Sequence, residues 1–269
     1  GAYGKLPVVA CDNCGFLFQN PRFNKLFYED FYSKKYRDIL FEKLDPSEKF
    51  VDDQIIRGKY LFESLKKYIP EKGNILDVGS SVGGLLKTFI ENGWKGLGVD
   101  PDKDYVKYGK EVLGLPVINI DAESMDLKEK YYDLIIIMDS LEHVYDPNKT
   151  LALCKKAAKP NSLLLLEGRG NPLSESKKYF NQNHHRYFSI ITIELMMLKH
   201  GWTPIFTTDD PLCGPLRDGG KPPGIYSLGV LDYKNNSETM NEKILKGKKD
   251  SIKDILEKFE KLDKQFGEN

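Results

Sequence analysis

Ile75-Leu76-Asp77-Val78-Gly79-Ser80-Ser81-Val82-Gly83-Gly84 decides how this chain is read. An apolar run of strand length enters a glycine loop, and a helical pattern begins at Val82. Glycine lets such a turn bring backbone close to a ligand and leaves free N–H groups pointing at it. Working outward, residues 74–78, 96–100, 117–120, 132–138 and 162–167 read as buried strands. Helix candidates at 82–92, 103–113, 147–158 and 191–200 lie between or after them. Strands separated by helices predict right-handed crossovers and a parallel sheet covered on both faces. Residues 204–208 and 224–231, joined by a Gly- and Pro-rich loop, predict a closing hairpin. The expected fold class is α/β, a doubly wound seven-stranded and mostly parallel sheet.

Three zones differ in composition. Residues 1–50 carry irregularly spaced aromatics, among them Phe16, Phe18, Phe23, Phe27, Tyr28 and Phe31, and read as an arm or cap packed on the body. Residues 51–231 hold the sheet, and 232–269 form a charged helical tail. In that tail Ile252, Ile255, Phe259, Leu262 and Phe266 make a heptad stripe that either lies on its own body or forms a homodimer seam. The 40 basic and 40 acidic side chains cancel, so the chain has no general drive toward nucleic acid. No apolar run approaches the ~20 residues of a membrane span, and no signal pattern opens the chain. Four cysteines are no disulfide framework, which suits a cytoplasmic protein.

Three ligand classes use a strand, glycine loop and helix. A dinucleotide wants G-x-G-x-x-G, but Ser81 replaces the second glycine and Asp77 would face an anionic diphosphate. Gly79-Ser80-Ser81-Val82-Gly83 also matches the G-x-S-x-G elbow of serine hydrolases, with Asp139 and His200 following Ser81 in the required order. That elbow, however, would follow the first evident strand, and no loop to complete an oxyanion hole is present. S-adenosylmethionine (SAM) fits better. Its sulfonium and ammonium tolerate Asp77, and glycine N–H groups suit its methionine end. Asp100, ending the next strand about 20 residues on, would take both ribose hydroxyls, and Asp121-Ala122-Glu123 would meet the adenine.

The ordered set of Asp77-x-Gly79-x-x-x-Gly83, Val99-Asp100-Pro101, Asp121-Ala122-Glu123, Asp139-Ser-Leu-Glu142-His143-Val-x-Asp-Pro147 and His185-Arg-Tyr-Phe-Ser189 resembles the class I SAM-dependent methyltransferases. The likeness is greatest to the bacterial small-molecule group that includes ubiquinone-pathway O-methyltransferases, and it spans about residues 55–231. Ser81 departs from the glycine that many members carry. The resemblance implies SAM as cofactor, S-adenosylhomocysteine as product, and Asp77, Gly79, Ser80, Ser81, Gly83, Asp100, Pro101, Asp121, Ala122, Glu123 and Asp139 as the cofactor's neighbours. It also implies a small polar acceptor, with a saccharide, capsule or natural-product hydroxyl as the expectation.

Transfer to oxygen releases a proton, so a base belongs near the methyl group. His143, His184 and His185 are the candidates, with Arg186 and Tyr187 as substrate contacts and Arg169 and Arg217 in loops near the expected mouth. No metal is the favoured reading. The alternative is a divalent ion on Asp139, Glu142 and His143, which share one face if the segment is a helical turn, with His184 or His185 as fourth ligand. Cys11-x-x-Cys14 is half of a zinc knuckle. Two rival functions stay open: a hydrolase using Ser81, and a SAM-binding protein without transfer activity.

Overall fold

The computed structural model describes residues 7–31, 46–170, 184–214, 224–232, 242, 245–246 and 248–266. Arg217 lies outside the described residues. Seven strands form one sheet: β3 (Asn74–Val78), β4 (Lys95–Asp100), β5 (Val117–Asn119), β6 (Tyr132–Ile137), β7 (Ala158–Arg169), β9 (Trp202–Thr208) and β10 (Gly224–Leu231). Their order across the sheet is β5-β4-β3-β6-β7-β10-β9. The first five run parallel, and β10 is antiparallel to both β7 and β9. The expected seven-stranded sheet with a closing hairpin is therefore what the chain builds. The order reverses between β3 and β6, and that switch point opens a crevice at the carboxyl ends of the strands.

Helices α3 (Gly84–Glu91), α4 (Lys103–Glu111), α5 (Pro147–Ala157) and α6 (Ile190–Lys199) fall within the expected windows to one residue. Their starts follow local chemistry. Asp102 and Asp146 each accept two backbone N–H groups as N-caps, Pro147 occupies the first turn, and Ser189 with Thr192 closes a capping box. The strands are apolar on both faces because helices cover both. One core layer holds Leu76, Ile135, Leu164 and Trp202, and the other holds Ile75, Leu134, Leu165 and Phe89, all essentially fully buried.

The N-terminal zone carries more regular structure than its aromatic spacing suggests. β1 (Val8–Ala10) and β2 (Leu17–Gln19) form a hairpin, and β2 pairs with β8 (Arg186–Tyr187) from the middle of the chain. A short helix α1 (Lys25–Asp30) follows, and then the 18-residue α2 (Glu48–Leu65), which sets Leu61, Phe62 and Leu65 into the core. The C-terminal helix α7 (Lys249–Phe266) lays Ile255 and Phe259 on Leu17 and Tyr187 of the small sheet. The part of its apolar stripe from Ile252 to Phe259 thus covers its own body. No helix among the described residues is long and apolar enough to cross a membrane.

Candidate active site

A cavity of about 850 Å³ opens at the carboxyl edge of the sheet, lined by the ends of β3, β4, β6 and β7 and by α1 and α2. Its floor is the glycine loop. Gly79 has φ +81, and a Cβ there would run into the Ser140 side chain, so the position admits only glycine without rearrangement. Ser81 takes the left-handed φ of 54 with a side chain present. The loop is anchored by hydrogen bonds from Gly79 N–H and Ser80 N–H to the Val99 carbonyl, at 2.8 and 3.0 Å.

Asp100 is 7% exposed and is aimed by its own neighbours. Ser81 N–H donates to Oδ2 at 2.8 Å, and Asp102 N–H donates to Oδ1 at 2.9 Å. Each oxygen is thereby fixed by backbone, which orients the carboxylate as bidentate contact with a vicinal diol would require. Asp77 lies nearby with Oδ2 lacking a hydrogen-bond partner. Burial, reinforced by the Asp100 charge and opposed by Arg57, pushes its carboxyl up to about 7. Pro101, Asp121, Ala122 and Glu123 also line the cavity. Glu123 is buried at 3% exposed, accepting Asp146 N–H at 2.7 Å and pairing with Lys25 of α1 at 3.2 Å. It therefore ties the wall together, and Asp121 is the more open of the two acids.

The other end of the cavity gathers His143, His184, Asp139 and Arg169. His143 N–H donates to the Ser140 carbonyl at 3.0 Å, so residues 140–143 make one helical turn. The rings of His143 and His184 stand 4.9 Å apart. Glu142 is fully buried beside them, and one ligand atom from each of Glu142, His143 and His184 lies within 4.8 Å of the others. Burial, and then the Asp139 charge against Arg169, lifts the Glu142 carboxyl to about 7. The alternative metal set of Asp139, Glu142 and His143 needs correcting. Asp139 has φ 49 and stands outside the helical turn, so its side chain turns to Arg57 at 3.0 Å and Arg169 at 3.8 Å. Those arginines outweigh burial and hold its carboxyl below the usual range. His184 takes its place in the cluster.

Three expected contacts do not reach the cavity. His185 is 1% exposed and lies tilted against Tyr28 with ring centroids 4.0 Å apart, and burial with the Arg186 charge drives its pKa down to about 2. That imidazole stays neutral and enclosed, so it is no proton acceptor for a ligand. Arg186 spends its guanidinium on the carbonyls of Val144 and Tyr145. Tyr187 packs against Leu17 at 1% exposed. Serine hydrolysis also fails on geometry. Ser81 Oγ is buried without a partner, Asp139 faces Arg57, and His200 Nε2 pairs with Asn148 Oδ1 at 3.1 Å. Arg57 was invisible to sequence reasoning: it reaches Asp139 across 82 positions and Glu167 at 3.6 Å.

A family model described as a methyltransferase domain matches residues 50–205. A ubiquinone biosynthesis O-methyltransferase of Rhodopseudomonas palustris is 29% identical over 97 residues, covering 34% of this chain and 38% of that protein. Its counterpart in Coxiella burnetii is 26% identical over 136 residues, covering 48% of this chain and 58% of that protein. The chain therefore spans less than two thirds of the length of these curated relatives. Among solved structures, the 1,6-didemethyltoxoflavin-N1-methyltransferase of Burkholderia thailandensis, bound to 1,6-didemethyltoxoflavin and S-adenosylhomocysteine, superposes with TM-score 0.57 at 12% identity, covering 84% of this chain and 99% of that one. A SAM-dependent methyltransferase of Aquifex aeolicus gives 0.51 at 18% identity, covering 78% and 100%. At these identities the structural likeness concerns the fold.

Proposed function

The chain belongs to the methyltransferase-domain family, whose model covers residues 50–205, and from that premise we propose that it moves the methyl group of SAM to a hydroxyl oxygen of a small polar acceptor. The observation that carries this reading is Asp100. Its carboxylate ends the strand beside the switch point and lines the cavity, with a backbone N–H holding each oxygen in place. The donor set around it also fits SAM. Asp77 offers an oxygen without a hydrogen-bond partner that suits the ammonium, Gly79 to Gly83 would give close backbone approach, and Asp121 with Ala122 would flank the adenine. A volume of about 850 Å³ is near the top of the range for small-molecule sites, enough for a cofactor and an acceptor together.

SAM supplies an electrophilic methyl group; the chain's own residues supply position and a place for the proton. His143 and His184 line the acceptor end, where a hydroxyl losing its proton needs an acceptor within hydrogen-bond reach. Glu142 behind them titrates near neutrality and can share that proton. Lys25 ties α1 to Asp121 and Glu123 at the cavity wall, where a cover over the bound methyl group would limit its exposure to water. A hydroxyl acceptor agrees with the O-methyltransferases among the sequence relatives, and a saccharide or natural-product hydroxyl of the cytoplasm remains the class we put first.

A second reading is favoured by the cluster of Glu142, His143 and His184. One oxygen and two nitrogen donors suit a borderline divalent ion, which would grip the acceptor oxygen and lower its pKa.

The test is calorimetric titration of wild type and Asp100→Ala with S-adenosylhomocysteine. Micromolar binding by wild type, weakened about 100-fold by loss of two charge-assisted hydrogen bonds in the variant, supports the reading. No binding to folded wild type overturns it. Transfer of labelled methyl to a panel of hydroxylated acceptors, with and without EDTA, separates the metal-free from the metal-assisted form.

A further inference from the structure

The chain as a whole is neutral, but the described residues that line its cavity are not. Among the described residues lining it, eight are Asp or Glu and three are Lys or Arg. Each of the three cations is already engaged by carboxylates. Lys25 lies 3.2 Å from Glu123, 3.4 Å from Glu29 and 3.6 Å from Asp121. Arg57 is held between Asp139 and Glu167, and Arg169 between Asp139 and Glu142. Two of these partners, Glu142 and Glu167, stand behind the lining and are held partly protonated near neutrality by burial, so the acidic excess is that of the lining itself. Asp77, 2% exposed, presents an oxygen with no hydrogen-bond partner in the same wall. Arg186, expected from the sequence as a substrate contact, is consumed by two backbone carbonyls.

Low-dielectric walls of one sign focus the field inside a cleft. An anion entering here must separate one of the existing pairs to find a cation, whereas a neutral or positively charged group meets no such penalty. SAM itself, with two positive groups against one carboxylate, complements the same field. Resting on the reading of this site as a SAM-dependent methyltransferase, we propose that the acceptor carries no anionic group: it is a neutral polyol or an amine-bearing small molecule, and phosphate- or carboxylate-bearing compounds are turned away. The same field makes an acceptor hydroxyl hold its proton more tightly, which explains why two imidazoles stand at that end of the cavity.

The experiment uses histidine-labelled protein and three nitroxides that share one ring but carry an amine, an amide or a carboxylate. Relaxation enhancement of each imidazole is read by NMR, with signals assigned through His143→Gln and His184→Gln. The amine probe should relax His143 and His184 several-fold more than the carboxylate probe. His200, beside Lys155 and Lys199 and paired with Asn148, is the internal reference and should not share that preference. Replacing Glu29→Gln and Asp30→Asn together should shrink the contrast at His143 and His184. Equal or stronger relaxation by the carboxylate probe overturns the proposal, as does an acceptor whose phosphate or carboxylate form is methylated faster than its neutral analogue. Titration of the same sample with S-adenosylhomocysteine keeps the two readings apart. Failure to bind removes the methyl-transfer reading, while the probe contrast still reports the sign of the cavity.

Discussion

Gln19 Nε2 donates to the His184 carbonyl at 2.7 Å, joining the N-terminal hairpin to the His143–His184 end of the cavity across 165 positions of sequence. The Gln19 backbone N–H adds a second bond, to the His185 carbonyl at 2.9 Å. The hairpin therefore fixes the segment from which His184 enters the cavity, and α7 braces the hairpin from behind through Ile255 and Phe259. Gln19 is 4% exposed, so Gln19→Leu leaves the His184 carbonyl without its partner in a poorly hydrated place. Loss of about 1–2 kcal/mol in urea unfolding is expected. Gln19→Glu, which cannot donate to the carbonyl, should lose at least as much, and equal stability of all three proteins would contradict the assignment.

Ser81 holds a left-handed φ of 54 while its hydroxyl, buried, finds no partner. Ser81→Gly removes both the backbone strain of about 1–2 kcal/mol and the unsatisfied hydroxyl, against about 0.5–1 kcal/mol of added chain entropy in the unfolded state. The backbone N–H that holds Asp100 is kept. The variant should unfold about 0.5–1 kcal/mol later than wild type and bind S-adenosylhomocysteine at least as well. A destabilised variant would mean that the hydroxyl has a partner in solution.

What could be read from sequence was local. The glycine loop, the acid ending β4 and the turn from Ser140 to His143 each lie within one strand-to-helix connection, so spacing alone exposes them. The hairpin could not be seen, because three-residue strands show no period and β2 pairs with β8 about 170 positions away. α2 was missed with it, and Arg57 went unnoticed along with the helix. His184 and His185 show the limit most sharply. These adjacent residues sit just ahead of β8, yet one ring lines the cavity and the other is buried in the core. Only tertiary packing decides which is which.

Three buried carboxyls titrate far above their ordinary values: Asp77 and Glu142 near 7 and Glu167 near 8, burial being the chief cause in each. A folded pKa above the unfolded one means that the native state binds more protons, so the contribution of these groups improves as pH falls from about 8.5 toward 6.5. His185 and His200, lowered to about 2 and about 4, work in the opposite sense. They stay neutral in the fold while the unfolded chain takes up protons below about 6.5, so their contribution fades as pH falls further. The melting temperature of the ligand-free protein should therefore rise steeply from pH 8.5 to about 6.5, rise more slowly toward about 4.5, where three carboxyls still outweigh two imidazoles, and decline below that. Glu167→Gln should flatten the upper limb, and a melting temperature that falls steadily from pH 8.5 to 6.5 would contradict the assignment.

Arg57 links α2 to the ends of β6 and β7 through Asp139 at 3.0 Å and Glu167 at 3.6 Å, and with Arg169 it keeps Asp139 ionised. Removing the charge from a buried pair typically costs about 3–5 kcal/mol. Here the loss should be smaller, because Asp139 opens to the solvated cavity and Glu167 can take up a proton instead. Arg57→Met is expected to destabilise by about 1–3 kcal/mol, with the deficit growing as pH rises above the Glu167 pKa and that carboxyl is forced to ionise without its partner. Glu167→Gln alone should change stability little near pH 7. The double variant should recover part of the Arg57→Met loss, giving a coupling of at least about 0.5 kcal/mol in a double-mutant cycle. Strictly additive losses would show that Arg57 acts through packing of its stem rather than through its charge, and the pH dependence of the single variant would then vanish as well.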